Sequence, residues 1–296
     1  MLILNPVSGS GDHPPEIRRQ AREREFDIRE TDASGDARRF TREAVVEGVS
    51  LIAVAGGDGT VNEVVHGLSD ADGFETVDVA IIPTGTANLF ARSLGIDGVQ
   101  KAFDILDRGH RRRIDVGFAD SRPFLNTCLA GLSAEANTAT KGQLKRRLGV
   151  FAYVLTTVRL LPEYEGVPLQ ITIDRNDSES GSPTNTWRGR ALLVVIGNSF
   201  RLPDIRRRDR PSSEDGLLEV TILEKQFTSN MSKEDAISQR TLDNLSPLDR
   251  LEASSLSICG LQDEQVTFSL DGELFTAEEL DIRVQERCLS LYVEPE

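Results

Sequence analysis

The sequence has few cysteines, and its apolar runs are short. Cys128, Cys259 and Cys288 are its only cysteines, and they are far apart along 296 residues. An odd number of widely spaced cysteines argues against a disulfide framework or a zinc site, and it fits a reducing cytoplasm. The longest apolar stretch, residues 148–161, is interrupted by polar residues such as Arg159. It is too short to cross a bilayer and no signal peptide is visible, so we expect a cytoplasmic protein without a transmembrane segment.

Lysine is scarce as well. The sequence has 5 Lys against 29 Arg and 48 acidic residues, and its net charge is −14. A surface this acidic repels nucleic acid, so we expect no DNA or RNA partner. Acidic, lysine-poor chains are typical of salt-adapted (halophilic) organisms, because high salt screens the repulsion between like charges. A GC-rich genome that favours arginine codons would produce the same composition, so two interpretations of the charge stay open.

Two patterns divide the chain near Arg113. Residues 1–113 alternate short apolar runs with helix patterns, which predicts a nucleotide-binding α/β domain with a parallel sheet and helices on both faces. Residues 114–296 contain strand-like segments at short spacing, interrupted by one helix pattern at residues 142–161. This predicts a mainly antiparallel β-sandwich with a helical insertion. Its last strand is expected to pack back near the first domain.

A glycine-rich turn at residues 56–60 is the strongest local feature. An apolar run at residues 51–55 leads directly into Gly-Gly-Asp-Gly-Thr and then into a helix pattern. Glycines let the backbone turn sharply and approach a ligand closely. The helix that follows presents unpaired N–H groups and the positive end of its dipole, which suits a phosphate. A tight turn without any ligand is the alternative, and the turn alone does not decide between them.

Two further polar loops strengthen the phosphate interpretation. Asn-Pro-Val-Ser-Gly at residues 5–9 ends the first predicted strand, and Pro-Thr-Gly-Thr-Ala-Asn at residues 83–88 ends a later one. The carboxyl ends of parallel strands meet at one edge of a sheet, where α/β proteins bind ligands. The sequence has neither a Walker lysine loop nor a Gly-x-Gly-x-x-Gly fingerprint, so neither a P-loop nor a Rossmann dinucleotide site is indicated.

These motifs together resemble the diacylglycerol kinase catalytic family, which includes sphingosine kinases and bacterial lipid kinases. The segments at residues 5–9, 56–63 and 83–92 look like its first three motifs, and those at residues 214–217 and 271–273 look like two later ones. The resemblance runs over nearly the whole chain. It implies two domains with an active site in the cleft between them, and transfer of the γ-phosphoryl group of ATP to a lipid hydroxyl.

The resemblance also implies roles for particular residues. Glu273 would be the general base, with Asp271 beside it. A structural magnesium ion, Mg2+, would be held by Asp215 and by the backbone carbonyls of Ser212 and Leu217. The residues that would line the ATP site come from four segments of the first domain: Asn5, Pro6, Ser8, Gly9, Thr31, Gly56, Gly57, Asp58, Gly59, Thr60, Asn62, Glu63, Thr86 and Asn88.

The segment at residues 271–273 can also be interpreted without the resemblance. Phosphoryl transfer requires positioning, charge neutralisation and a proton acceptor for the incoming hydroxyl. Two carboxylates that flank a glycine at a strand end could supply these. Asp-Gly is also a common turn dipeptide, so a surface hairpin is the alternative.

The partner implied by the family is a lipid at a membrane surface, reached from the inner face, and a homodimer is possible. The nearest alternative enzyme is an NAD kinase, which shares Gly-Gly-Asp-Gly and a two-domain layout. A nucleotide-binding regulator without turnover is the alternative of another class. The acceptor side departs from the family pattern at Leu89, where many members carry Asp, and at residues 199–202, where glycines are common. The lipid itself therefore stays open.

Overall fold

The chain forms two compact units in a computed structural model that describes residues 1–131, 166–174, 185–199, 214–224 and 249–295. The first unit comprises Met1–Val116 and Gln285–Glu296, and the second comprises Gly117–Val284. The predicted helical insertion at residues 142–161 lies outside the described residues, as does the predicted magnesium ligand Ser212.

The first unit contains a parallel sheet. Its strands are β1 (Leu2–Leu4), β2 (Ile28–Glu30), β3 (Leu51–Gly56) and β4 (Asp78–Pro83), in the order β2-β1-β3-β4. The end of the last strand of the chain pairs with β4 in parallel, with Leu291 opposite Val79. Five helices accompany the sheet: α1 (Pro14–Glu23), α2 (Asp36–Val46), α3 (Asp58–Asp70), α4 (Leu89–Ser93) and α5 (Val99–Arg108). The predicted α/β class is confirmed.

Helices α4 and α5 differ from the sequence pattern. The sequence pattern predicts a helix over residues 86–94, but α4 begins only at Leu89, because Asn88 has a left-handed backbone with φ of 49°. Helix α5 was not expected at all. It follows Gly98, and its apolar face buries Ala102, Phe103, Ile105 and Leu106.

The start of helix α2 is fixed by the carboxylate of Asp36. Its Oδ2 accepts hydrogen bonds from the backbone N–H groups of Asp32 and Ala33, both at 2.9 Å, and its Oδ1 accepts one from Arg39 at 2.9 Å. The bond from the Arg39 guanidinium, followed by the two backbone bonds, lowers the pKa of Asp36 to about 2. The ionised carboxylate therefore favours the folded state.

We expect Asp36 to make folding pH-dependent in acid. Because its pKa is lower in the folded state, its stabilisation is present above the unfolded pKa of about 3.9 and is lost as pH falls toward 2. Thermal unfolding followed from pH 5 to pH 2 should therefore show a shallower decline in Tm for Asp36→Asn than for the parent chain. Equal slopes for the two proteins would contradict the assignment. Asp72→Asn, in the same unit, serves as the control.

The second unit is antiparallel. Its strands are β5 (Arg111–Ala119, from Gly117 on), β6 (Arg122–Phe124), β7 (Thr127–Ala130), β8 (Val167–Asp174), β9 (Asn185–Gly197), β10 (Leu218–Glu224), β11 (Asp249–Ala253), β12 (Ser255–Gly260), β13 (Val266–Leu270), β14 (Glu273–Ala277) and β15 (Glu279–Tyr292, up to Val284). One path runs β14-β13-β7-β9-β8-β12-β15, and β10 pairs with both β9 and β11.

The core of the second unit explains this arrangement. Inward-facing apolar residues alternate along its strands, and Ile171, Val194, Val220, Ile258 and Phe268 are all buried in one cluster. The predicted antiparallel character is confirmed. Strand β14 was not predicted, because Glu273 and its neighbours alternate only weakly. In the described part of the chain, no helix is long and apolar enough to cross a membrane.

Candidate active site

Three loops of the first unit touch through their glycines. A β-carbon placed on Gly9 would stand 2.0 Å from the carbonyl oxygen of Thr84. One placed on Gly85 would stand 2.5 Å from the Cα of Gly57, and one on Gly57 would stand 3.5 Å from the Oγ of Ser8. No side chain fits at Gly9 or Gly85 without displacing backbone. The structure thus brings the three sequence-predicted segments together at the carboxyl ends of β1, β3 and β4.

Asn5 connects the first loop to the start of helix α3. Its Nδ2 donates to the Oγ1 of Thr60 at 3.0 Å, and its Oδ1 accepts from the backbone N–H of Val7 at 3.2 Å. Its own N–H donates to the carbonyl of Ala55 in strand β3 at 2.8 Å. Both ends of the Asn5 amide are therefore used inside the loops, and the residue sets their relative position.

Asp58 connects the second loop to the third. Its Oδ1 accepts a hydrogen bond from the N–H of Phe90 at 3.1 Å, at the beginning of helix α4. Asn88 closes the same loop by donating from Nδ2 to the carbonyl of Gly85 at 2.8 Å. Thr86, between them, is exposed. Asp58 thus links the second loop to the start of α4 through its Oδ1.

The beginning of helix α3 is suited to an anion. The helix has 13 residues, it begins at Asp58, and the carbonyl of Gly57 accepts the N–H groups of Thr60 and Val61 at 3.0 and 3.1 Å. A β-carbon on Gly59 would meet nothing within 4 Å, so there is open space above this turn. Unpaired N–H groups and the helix dipole favour negative charge at such a position.

Three buried oxygen atoms around the loops have no hydrogen-bond partner among the residues that the structure describes. They are the Oδ1 of Asn62, the Oγ1 of Thr84 and the Oδ1 of Asn88. Asn62 is 7% exposed and Thr84 is 3% exposed. A buried polar atom without a partner costs about 1 to 3 kcal/mol, so such atoms mark places where a ligand or water supplies the bond. Sequence reasoning missed Thr84, although it lies in a loop that had already been singled out.

Two residues that were predicted to line the ATP site make hydrogen bonds that support the fold of the first unit. Thr31 is buried, and its N–H donates to the carbonyl of Leu4 at 2.9 Å, so it extends the pairing of β2 with β1. Glu63 lies on α3, but its carboxylate binds the first turn of α2. Its Oε1 accepts from the N–H of Gly35 at 2.9 Å, and its Oε2 accepts from the N–H of Ala37 at 3.1 Å.

We expect Glu63→Ala to destabilise the first unit by about 1 to 2 kcal/mol, as the loss of a helix N-cap does. The change leaves the N–H groups of Gly35 and Ala37 without their acceptor. Urea unfolding followed by circular dichroism measures it. Glu47→Ala, at the other end of α2, removes only a surface ion pair with Arg29 and should cost less than about 1 kcal/mol. Unchanged stability with weaker ATP binding would instead place Glu63 in the nucleotide site.

The carboxylates of the Asp-Gly-Glu segment differ in their surroundings. Asp271 accepts hydrogen bonds from the N–H groups of Leu125, Asn126 and Thr127 at 2.7, 2.9 and 2.9 Å. Glu273 is exposed at the first position of β14, and its carboxylate makes no hydrogen bond with the residues that the structure describes. The two acidic side chains are therefore close in sequence but chemically distinct.

Two of the three predicted magnesium ligands are described. The Oδ1 of Asp215 accepts from the N–H of Leu217 at 3.1 Å, across Gly216, whose φ is 69°. This turn offers a carboxylate and backbone carbonyls, and hard oxygen ligands of this kind suit magnesium. Within the described ranges no group of three or more acidic, His or Cys side chains could hold a metal ion.

The positions that depart from the family pattern have structural roles. Leu89 is the first residue of α4. The Oγ of Ser199 is buried and donates to the carbonyl of Leu125 at 2.7 Å. Residues 200–202 lie outside the described residues.

Two buried cysteines are not nucleophiles at neutral pH. Burial raises the pKa of Cys128, with a further contribution from the charge of Asp271. Burial also raises the pKa of Cys288 to about 11. A thiol reacts as its thiolate, so neither side chain is activated.

The chain is similar to known proteins in its sequence and in its fold. Residues 1–119 match the sequence profile of the diacylglycerol kinase catalytic domain. A diacylglycerol kinase of Staphylococcus aureus (strain bovine RF122 / ET3-1) is 28% identical over 280 residues, covering 92% of this chain and 85% of that protein. One of Staphylococcus carnosus (strain TM300) is 29% identical over 286 residues, covering 92% of this chain and 87% of that protein.

A solved structure agrees with these relatives. A diacylglycerol kinase from Bacillus anthracis str. Sterne matches with a TM-score of 0.77 and 25% identity, covering 99% of this chain and 96% of that one. The predicted resemblance is confirmed, and the relatives support a kinase function for this chain.

Proposed function

We propose that the chain belongs to the diacylglycerol kinase catalytic family and transfers the γ-phosphoryl group of ATP to a lipid hydroxyl, because residues 1–119 match the profile of that catalytic domain and the relatives match over most of the chain. One observation carries the proposal. Three glycine-rich loops pack against one another at the start of α3, and three buried oxygens around them have no partner among the described residues. Close backbone approach and the positive potential of the helix start suit a nucleotide phosphate, and the unpartnered oxygens suit the hydrogen-bond donors or the magnesium ion that accompany it.

The residues that would hold the ATP phosphates are those of the three loops. The N–H groups at the start of α3 would face phosphate oxygens, and Gly9 and Gly57 would let the chain approach them closely. The hydroxyl of Thr84 would donate to a phosphate oxygen, whereas the Oδ1 atoms of Asn62 and Asn88 accept and would face magnesium, water or an N–H or O–H group of the nucleotide. Bound ATP supplies the phosphoryl group, and magnesium supplies charge neutralisation.

Glu273 would accept the proton of the lipid hydroxyl. As the hydroxyl oxygen forms its bond to the γ-phosphorus, the bond to the β-phosphate oxygen breaks and ADP leaves. The exposed Glu273 carboxylate makes no hydrogen bond with the described residues, so it is available for this proton. The turn of Asp215 and Leu217, with Ser212, would hold a structural magnesium ion.

The proposal includes a membrane surface as the place of reaction and a homodimer as the assembly. It also includes salt adaptation, because a net charge of −14 favours a compact state at high ionic strength. In that case activity should fall in dilute buffer. The lipid is diacylglycerol or a related alcohol.

A direct assay tests the function. The chain is incubated with labelled ATP and magnesium, and either extracted lipid in vesicles or NAD is the acceptor, at low and at high salt. We expect label in the lipid fraction alone. Label in NAD alone would establish the NAD kinase alternative, which the shared Gly-Gly-Asp-Gly turn supports. ATP binding with no labelled product would indicate a nucleotide-binding regulator.

A further inference from the structure

Asp271 occupies a two-residue turn between β13 and β14. Leu270 pairs with Glu273 across the turn, and Asp271 and Gly272 have φ of 45° and 98°. Positive φ at both central residues is the geometry of a type I′ hairpin turn, which matches the twist of the flanking strands. The turn therefore fixes the orientation of Glu273 relative to Asp271.

The carboxylate of Asp271 is largely occupied by backbone donors. Its Oδ1 accepts the N–H groups of Asn126 and Thr127 at 2.9 Å each, and its Oδ2 accepts the N–H of Leu125 at 2.7 Å. An ionised carboxylate has about four acceptor positions, so at least three of them are used. Its own N–H donates to the carbonyl of Thr127 at 3.0 Å. Such charge-assisted bonds are short and strong.

The same segment is held from its other side by the end of β9. The carbonyl of Leu125 accepts the Nδ2 of Asn198 at 3.1 Å and the Oγ of Ser199 at 2.7 Å. The N–H groups of Asn198 and Ser199 donate to the carbonyls of Asn126 and Leu125 at 3.0 and 3.2 Å. The N–H groups of residues 125–127 are thus bonded to Asp271, and the carbonyls of Leu125 and Asn126 are bonded to Asn198 and Ser199.

We propose that Asp271 is a positioning residue that fixes residues 125–127 and the turn carrying Glu273, and that it neither accepts the substrate proton nor binds a metal ion. This inference rests on the proposed kinase function. Asp271 keeps residues 125–127 and the hairpin turn in place through its hydrogen bonds, and Glu273 contacts the substrate. Displacing a general base by about 1 Å can lower the reaction rate about 100-fold, so Asp271 can affect catalysis without contacting the reacting atoms.

Graded substitutions separate positioning from direct chemistry. Asp271→Asn keeps one oxygen as acceptor for Asn126 and Thr127 but presents an amide N–H to Leu125. Asp271→Ala removes both oxygens and with them all three hydrogen bonds. We expect kcat to fall about 10-fold for Asn and about 100-fold for Ala, with KM for ATP unchanged. A proton acceptor or metal ligand would instead lose the same large factor in both variants, as we expect for Glu273→Gln. That result would overturn the proposal.

Amide hydrogen exchange provides a readout that needs no activity. Asp271→Ala should increase exchange at residues 125–127 by about 10-fold or more. Asp120→Asn is the matched control, since Asp120 also has a positive φ in a turn of this unit, and its Oδ1 accepts a single N–H among the described residues, that of Asp281 at 3.2 Å. It should change neither exchange at residues 125–127 nor kcat.

Unchanged exchange at these residues in Asp271→Ala, or increased exchange with full kcat, would also overturn the proposal. A parent chain that labels no lipid would refute the kinase function instead, while exchange still decides whether Asp271 holds the segment.

Discussion

Glu273→Gln should reduce kcat for lipid phosphorylation by about 1,000-fold while leaving ATP affinity unchanged. A positioned general base contributes about 100- to 10,000-fold, and glutamine has nearly the same shape but cannot take a proton at neutral pH. Glu273 is exposed, and within the described ranges its carboxylate makes no hydrogen bond, so the substitution breaks no structural contact there. Initial rates with labelled ATP give kcat, and calorimetric titration with a non-hydrolysable ATP analogue gives affinity.

The control for this prediction is Glu279→Gln. Glu279 is also exposed, and it begins the next strand, β15. Removing its charge alters the net charge by the same amount, so any general electrostatic effect on the acidic chain appears equally in both variants. We expect the control to keep the parent rate. Full activity in Glu273→Gln would show that another group accepts the proton, and loss of ATP binding would place Glu273 in the nucleotide site.

The first unit could be predicted well because its signals are local. The apolar run of β3 passes directly into Gly56 and Gly57, and strand, turn and helix follow in the order that the residues themselves favour. Helix α5 and strand β14 could not be predicted in this way. Strand β14 is partly exposed and alternates weakly, and its Phe275 is placed by pairing with Phe268 of β13 and not by its own sequence pattern.

The loops of the candidate site were predicted, but the roles of their carboxylates were not. Asp58, Glu63 and Asp271 all belong to recognisable motifs, and each accepts backbone N–H groups from a distant segment. A motif reports which residue types come together near a ligand. It does not report which oxygen already has a partner, because hydrogen bonds across 26 or 146 positions depend on how the whole unit folds. The three-dimensional geometry shows which carboxylates are bonded to backbone N–H groups and which are not.

Gly9→Ala should have the second large effect, on both stability and the nucleotide site. Gly9 has a φ of 65°, which costs about 1 to 2 kcal/mol for a residue with a β-carbon. The new carbon would stand 2.0 Å from the carbonyl oxygen of Thr84, so backbone must move and overpacking adds about 1 to 3 kcal/mol. The total expected destabilisation is about 2 to 5 kcal/mol.

The displaced loop is also the reason to expect a functional loss. If the loops hold the ATP phosphates, moving Thr84 away from Gly9 should lower kcat/KM for ATP by about 100-fold, measured well below the Tm of the variant. Gly98→Ala is the control, because its φ of −173° suits any residue and a β-carbon there meets nothing within 4 Å. A variant that lost stability but kept its kcat/KM would show that the close approach of these loops is a packing feature, and the nucleotide site would have to be sought elsewhere.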